Sequence, residues 1–230
     1  MLLFACAHTP PLVVQDQAEF IAQVAKKNPP IRFLKAKAKI AISTPQKTYP
    51  FKVGLLMNGK GSMFIEAYGF GVPQSYASLV DNQLRVVVPS QRILYIGSGD
   101  SSLEKILNIK VSANALFDPL LRRIFAVQRG PFQIIADKKQ YIMTDSYRNE
   151  FKVDPSYWIQ NVISNHTPWK SVQYGPPLNV ETPYPKNLKL NLEHGSMQIS
   201  FENVTIDQSI ENKLFQIDVP SHGFDIYSID

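Results

Sequence analysis

Cysteine is all but missing: Cys6 is the only one in 230 residues, which excludes an internal disulfide framework. Histidine is scarce as well. His8, His166, His194 and His222 stand far apart with no neighbour at ligand spacing, so nothing in the pattern suggests a metal site. No Gly-x-Ser-x-Gly elbow, phosphate-binding glycine loop or dinucleotide fingerprint occurs. The glycine pairs Gly59/Gly61 and Gly69/Gly71 follow strand-like runs and open no helix, so turns explain them. No carboxylate spacing suggests glycoside chemistry. The expectation is a protein without cofactor or metal that is not an enzyme. Past the N-terminus no run approaches the roughly 18 apolar residues of a transmembrane helix.

Hydrophobic residues make up 44% of the chain and charged residues 19%, enough for a core and too little charge for disorder. No repeat, low-complexity run or flexible linker divides the sequence, which predicts one domain over 16–230 after a leading segment 1–15. The net charge of +5 comes from scattered lysines and arginines, with small clusters at Lys35, Lys37, Lys39 and at Arg122, Arg123. Such a balance favours an anionic partner, phospholipid headgroups as readily as nucleic acid. No nucleic-acid motif accompanies it.

Along the chain, Ala18, Ile21, Ala22 and Ala25 recur at helical spacing from Asp16 to Lys27, and Pro29-Pro30 stop the helix. The period then changes to two. Ala36 to Ile42 places lysines outward and Ala/Ile inward, and Phe51, Val53, Leu55 and Met57 form the apolar face of the next strand. Asn58-Gly59-Lys60-Gly61 and Asp81-Asn82 are hairpin turns, because Asn and Gly tolerate the positive φ of a tight turn. Strands are expected at Met63 to Tyr68, Ser75 to Val80, Leu84 to Val88 and Arg92 to Ile96. A helix from Ser101 through Leu107, with a serine cap and an acidic first turn, and a second from about Asn114 to Val127 interrupt the meander. Further strands are expected at Phe132 to Ala136, Tyr141 to Thr144, Glu150 to Val153, Lys170 to Tyr174, Leu188 to Leu192, Met197 to Phe201 and Leu214 to Asp218.

This order predicts a mostly-β α+β fold. A strongly curved antiparallel sheet forms an unclosed half-barrel, with the N-terminal helix and the two-helix insertion covering its concave apolar face, since that face must be buried against something. Helices that do not fill the concavity leave a greasy cavity. Candidates for its lining are Phe64, Leu84, Val86, Val88 and Tyr95 on the strands, and Leu103, Leu107, Leu120 and Ile124 on the insertion; ordinary packed core is the competing role for each. Trp158 and Trp169 suit a cavity mouth, a membrane interface or a packed interior equally.

Two sets of residues carry a resemblance. The run Leu2-Leu3-Phe4-Ala5-Cys6 resembles a bacterial lipobox, and Ala7-His8-Thr9-Pro10-Pro11 resembles the tether after a lipidated cysteine. Only five residues precede Cys6, fewer than the charged start and apolar stretch of a signal peptide, so a start placed too late, a trimmed chain or a chance cysteine are all open. The second set is Gly69-Phe70-Gly71, Asp81-Asn82, Tyr95-Ile96-Gly97, Asp118 to Ile124, Tyr184 to Leu190 and Phe215 to Pro220. In this order they resemble the LolA/LolB family, the periplasmic carrier and the outer-membrane receptor of lipoproteins.

The resemblance implies an unclosed barrel whose lid-like helices admit acyl chains, and a monomeric outer-membrane lipoprotein facing the periplasm, anchored by an acyl chain on Cys6. Ala7, being uncharged, fits sorting to that membrane. Phe70 matches the apolar loop residue by which a LolB-type receptor reaches the membrane, where insertion would contribute about 1.5–3 kcal/mol; folding back onto the core is its other role. Implied partners are acyl chains of lipoproteins or phospholipid, the outer membrane and a LolA-like carrier. Two departures, a longer tail through Ser221-His222-Gly223-Phe224 and a longer 145–180 connection, leave room for another cargo. A lipid-binding or lipid-sensing envelope module and a non-catalytic structural subunit of an envelope complex remain as alternatives.

Overall fold

A computed structural model describes residues 14–69, 72–101, 103–107, 109–125, 131–137, 139–179, 181–218 and 223–230. Cys6 and Phe70 lie outside these residues. Asp16 caps the first helix, α1 (Gln17–Lys27), its carboxylate accepting from the Ala18 amide at 2.7 Å and the Glu19 amide at 3.2 Å, which satisfies donors with no intrahelical partner. The buried face of α1 runs through Phe20 and Val24, with Ile21 beside them. Ala18, Ala22 and Ala25, expected on that face, are exposed. The larger side chains remove more apolar surface from water, and they decide the helix's rotation.

Six strands follow as an antiparallel meander: β1 (Phe33–Ser43), β2 (Thr48–Asn58), β3 (Met63–Gly69), β4 (Val72–Val80), β5 (Gln83–Val88) and β6 (Ile93–Ser98). Alternation sets their faces: in β1, Leu34, Ala36 and Ala38 are buried while Lys35, Lys37 and Lys39 are exposed. The β4–β5 turn places Asp81 and Asn82 at φ 50° and 62°, the left-handed pair that matches strand twist.

A second series comprises β7 (Gln133–Asp137), β8 (Gln140–Thr144), β9 (Glu150–Val153), β10 (Ile159–Ile163), β11 (Trp169–Tyr174), β12 (Asn187–Leu192) and β13 (Gly195–Ile206). β13 pairs with β1 in the middle of the molecule, and β14 (Asp225–Ser228) pairs in parallel with β6. The result is a single 14-stranded curved sheet, open between its β14 and β7 edges, the half-barrel expected from the sequence. One continuous apolar core covers its inner face, running from α1 across both series of strands.

Three expected elements differ. The insertion holds only short turns: α2 (Glu104–Leu107), a 3-10 turn (Asn114–Leu116) and α3 (Phe117–Leu120). Arg122, at φ 53°, takes the left-handed conformation that ends a helix, so α3 does not continue through 121–125; Val127 lies outside the described residues. The Ser101 hydroxyl, expected as a cap, donates to the Asp230 carboxylate and accepts from the Ser98 amide at 3.1 Å. The strand expected over Leu214–Asp218 is instead a 3-10 turn (Asn212–Phe215), because both edges of the preceding β13 are already occupied. The chain finds a free edge only at Asp225. Strand β10 and strand β14 were not expected.

Candidate functional site

The inner face is built from alternate residues of consecutive strands. Ala36, Ala38 and Ile42 of β1, Val53, Leu55 and Met57 of β2, Leu84 and Val86 of β5, and Leu188, Leu190 and Met197 of the second series belong to one buried cluster. Against it lies the insertion, residues 99–124, contributing Leu103, Ile109, Val111, Leu116, Phe117, Leu120, Leu121 and Ile124. Sheet and insertion thus meet as an apolar floor and an apolar cover.

Of the residues singled out in the sequence, the structure brings together Leu84, Val86, Leu103, Leu120 and Ile124 as buried members of this cluster, with Tyr95 and Leu107 partly buried against it. Val88 shares their strand face but sits half-exposed at the end of β5. Phe64 stands apart. Its strand neighbours Met63 and Ile65 face inward, while the Phe64 ring lies on the opposite side, 6.4 Å from that of Tyr76. Trp169 is packed in the core, and Trp158 is buried near the other end of β11, donating from Nε1 to the Gly175 carbonyl at 3.0 Å.

The two halves of the cover are held differently. The second half is gripped through its backbone: Tyr174 Oη donates to the Pro119 carbonyl at 3.1 Å, Tyr184 Oη to the Leu120 carbonyl at 2.8 Å, and the Ile31 amide to the Leu121 carbonyl at 2.8 Å. Burial pushes both tyrosine hydroxyls well above their ordinary pKa, so they stay protonated donors. Arg122 completes the grip. It is buried, donates to the Pro183 carbonyl at 2.8 Å and to Asn28 Oδ1, and stacks 3.9 Å from the Trp158 ring centroid. Burial lowers its pKa to about 10, a shift that the facing hydroxyls of Tyr174 and Tyr184 oppose.

The first half, around α2, rests on Leu103, Ile109 and Val111, with the Lys105 ammonium reaching the Ser228 and Asp230 carbonyls at 3.3 Å. The Leu103 amide closes this half on itself, donating to the Val111 carbonyl at 2.8 Å. Apart from the Lys105 contacts and the Gly99 amide at its start, which donates to the Asn82 carbonyl at 2.8 Å, the described residues of this half meet the inner face through apolar side chains. The hub of Asn28, Arg122, Tyr174 and Tyr184 was not singled out in the sequence; Asn28 directly before Pro29-Pro30 was its one visible sign.

Among the described residues no group of three or more His, Cys, Asp or Glu side chains is placed to hold a metal ion. No family model matches the sequence, and no curated protein matches it. Solved structures do. A putative outer-membrane lipoprotein-sorting protein domain from Vibrio parahaemolyticus superposes with a TM-score of 0.56 at 10% identity, covering 86% of this chain and 94% of that one. A LolA superfamily protein from Nitrosomonas europaea gives 0.55 at 10% identity, covering 89% and 99%. The chain has the LolA-type fold. A DUF1329 family protein from Desulfovibrio piger shares it, with a TM-score of 0.58 at 11% identity over 86% of this chain and 95% of that one. In this LolA-type fold the insertion occupies the concave side of the sheet, the arrangement that the family resemblance implied.

Proposed function

We propose that the protein binds acyl chains between the inner face of its half-barrel and the α2 half of the cover, and that it receives lipoproteins and inserts them into the outer membrane. The observation that carries this reading is the unequal attachment of the cover over a continuous apolar floor. An acyl chain entering there exchanges one apolar contact for another, while each methylene withdrawn from water contributes about 0.8 kcal/mol. Transfer from one such interior to another, or to a bilayer, is nearly balanced and needs no catalytic residue. In this reading Cys6 carries the acyl anchor on the periplasmic side of the outer membrane, and Phe70, directly following the last residue of β3, contacts the membrane. A LolA-like carrier delivers the cargo.

The test is uptake of a fluorescent fatty acid, and of a synthetic acylated lipopeptide, by the full chain. Leu103→Glu places a carboxylate in the apolar contact under the α2 half and is expected to abolish uptake while circular dichroism shows the sheet intact. Phe70→Glu is expected to keep uptake and lose delivery of the lipopeptide to vesicles. Failure of the unaltered chain to take up any acyl chain overturns the reading. It would favour a structural subunit whose interior stays filled by Leu116, Phe117 and Leu121, as the depth of their burial already permits.

A further inference from the structure

The outer face of the sheet carries a row of lysines. Lys35, Lys37 and Lys39 point outward from β1 at every second residue, about 6.7 Å apart along an extended strand. Lys52 of β2 is the direct cross-strand partner of Lys39. Like charges directly opposite each other destabilise a strand pair, and this pair is only partly relieved: Glu202 lies 3.0 Å from the Lys39 ammonium. Lys35, Lys37 and Lys52 make no ion pair with the described residues. Glu66, the carboxylate on neighbouring β3, accepts instead from the hydroxyl of Tyr68.

Beside these ammonium groups the surface is hollow. A trough of about 660 Å³ is lined on this face by Lys39, Lys52, Tyr68, the apolar Ala41 and Pro50, and the polar Gln198 and Ser200. A second, of about 300 Å³, continues beyond Tyr68 along Lys35, Lys37 and Phe64. Tyr68 is the wall between them, its ring 3.7 Å from where a Cβ on Gly54 would stand. Cations on the rim and apolar walls within describe a ligand with an anionic head and an apolar continuation.

We propose that this trough binds the headgroup of an anionic phospholipid at a membrane surface, the phosphate between Lys39 and Lys52 and the first methylenes along Ala41 and Pro50, which share their face of the sheet. Inorganic phosphate would use the ammonium groups but leave those walls uncovered. An acidic protein segment is the competing occupant. The site is on the face opposite the acyl-binding interior and stands or falls separately from it.

The test is flotation of the full chain, carrying Cys6→Ser so that no acyl anchor contributes, with vesicles of phosphatidylcholine alone or mixed equally with phosphatidylglycerol. Binding is expected only to the mixed vesicles, and to weaken with salt as surface charges are screened. At about 1 kcal/mol per surface lysine, Lys39→Gln/Lys52→Gln is expected to lower partition about 30-fold. Lys26→Gln/Lys27→Gln, the same charge change on exposed α1, is expected to leave most of it, and fatty-acid uptake is expected to persist in both variants. Equal loss in the two variants, or equal binding to phosphatidylcholine, overturns the proposal. Vesicle binding unchanged in Lys39→Gln/Lys52→Gln also overturns it, in favour of an acidic protein segment. So does displacement of the protein from vesicles by millimolar inorganic phosphate, where sodium chloride of equal ionic strength has no effect, in favour of a free-phosphate site.

Discussion

Arg122 is a buried cation whose partners are a carbonyl, an amide oxygen and two aromatic faces, not a carboxylate. Such a group is costly to bury and costlier to leave half-satisfied, so its neighbours are fixed by it. Asn28 shows how: its side chain donates to the Val24 and Tyr157 carbonyls at 2.7 Å each and accepts from Arg122 and from the Ile159 amide at 3.0 Å. One amide thereby ends α1 and joins it to β10. Tyr184→Phe keeps the ring and strands the buried Leu120 carbonyl; an unmet buried acceptor costs about 1–3 kcal/mol, to be read as a lower urea midpoint at unchanged slope. The same tyrosines set the alkaline limit. Their folded pKa lies above the unfolded 10.0, so the folded state holds protons that the unfolded state releases, and stability present below pH 10 is lost above it. Tyr68, pushed up to about 12 by its hydrogen bond to Glu66, acts in the same direction. Arg122 acts oppositely, since its lowered pKa favours folding as pH rises past about 10. Three tyrosines outweigh one arginine. Urea midpoints are expected to be flat near neutrality and to fall above pH 10, less steeply in Tyr184→Phe; a rise there would contradict this assignment.

At the scale of elements, the contrast within the cover has a direct readout. Residues 103–107 and 109–111 meet the inner face mainly through side chains, whereas the Pro119, Leu120 and Leu121 carbonyls accept from the Tyr174 and Tyr184 hydroxyls and the Ile31 amide. Hydrogen exchange is expected to be faster in the first segment than in the second, and slowest in β1 and β13; equal protection across the insertion would remove the basis for a cover that opens at one end. The tail is a second case. After β13 it crosses the outer face, where Phe215 is buried and its carbonyl accepts from the Ser78 hydroxyl. On that face Val87 and Leu94, cross-strand partners, are buried as well. Phe215→Ala is expected to cost about 3–5 kcal/mol, measured by thermal unfolding. Elements with a strict period of two were legible: β1 and β2 read directly, because their apolar residues alternate with lysines or small and polar residues on the other face. The insertion was not. Its Leu-rich spacing reads as a long helix, yet Arg122 in the left-handed conformation and the grip of two distant tyrosines decide its shape. Phe64, by contrast, shares its alternation with Glu66, whose charge marks the outer face, so its facing was legible in the period of β3.

At the scale of the molecule, the sheet is two meanders joined along one seam, β1 against β13, residues some 160 positions apart in the chain (Ile42 beside Met197, 197 − 42 = 155; Leu34 beside Ile206, 206 − 34 = 172). The cover bridges the seam. Its start is tied to the first meander, the Gly99 amide donating to the Asn82 carbonyl at 2.8 Å, and its end to the second through Tyr174 and Tyr184. α1 adds to this, Phe20 meeting the rings of Tyr141 and Tyr157 at 4.5 and 5.5 Å. Neither meander can bury its inner face alone, which predicts one cooperative transition. The tryptophans make the prediction sharp, because Trp169 is packed within the second meander and Trp158, beside that meander, stacks on Arg122 at the end of the cover, whereas far-ultraviolet circular dichroism reports on both meanders. The two signals are expected to coincide in urea. Ala38, 2% exposed and flanked on the seam by Val53 and Phe201, supplies the perturbation: Ala38→Lys puts an unpaired charge into the apolar contact and is expected to lower both midpoints together. A tryptophan transition that stays in place while the dichroism midpoint falls would mean that the second meander folds on its own and that the seam is an interface between two folding units.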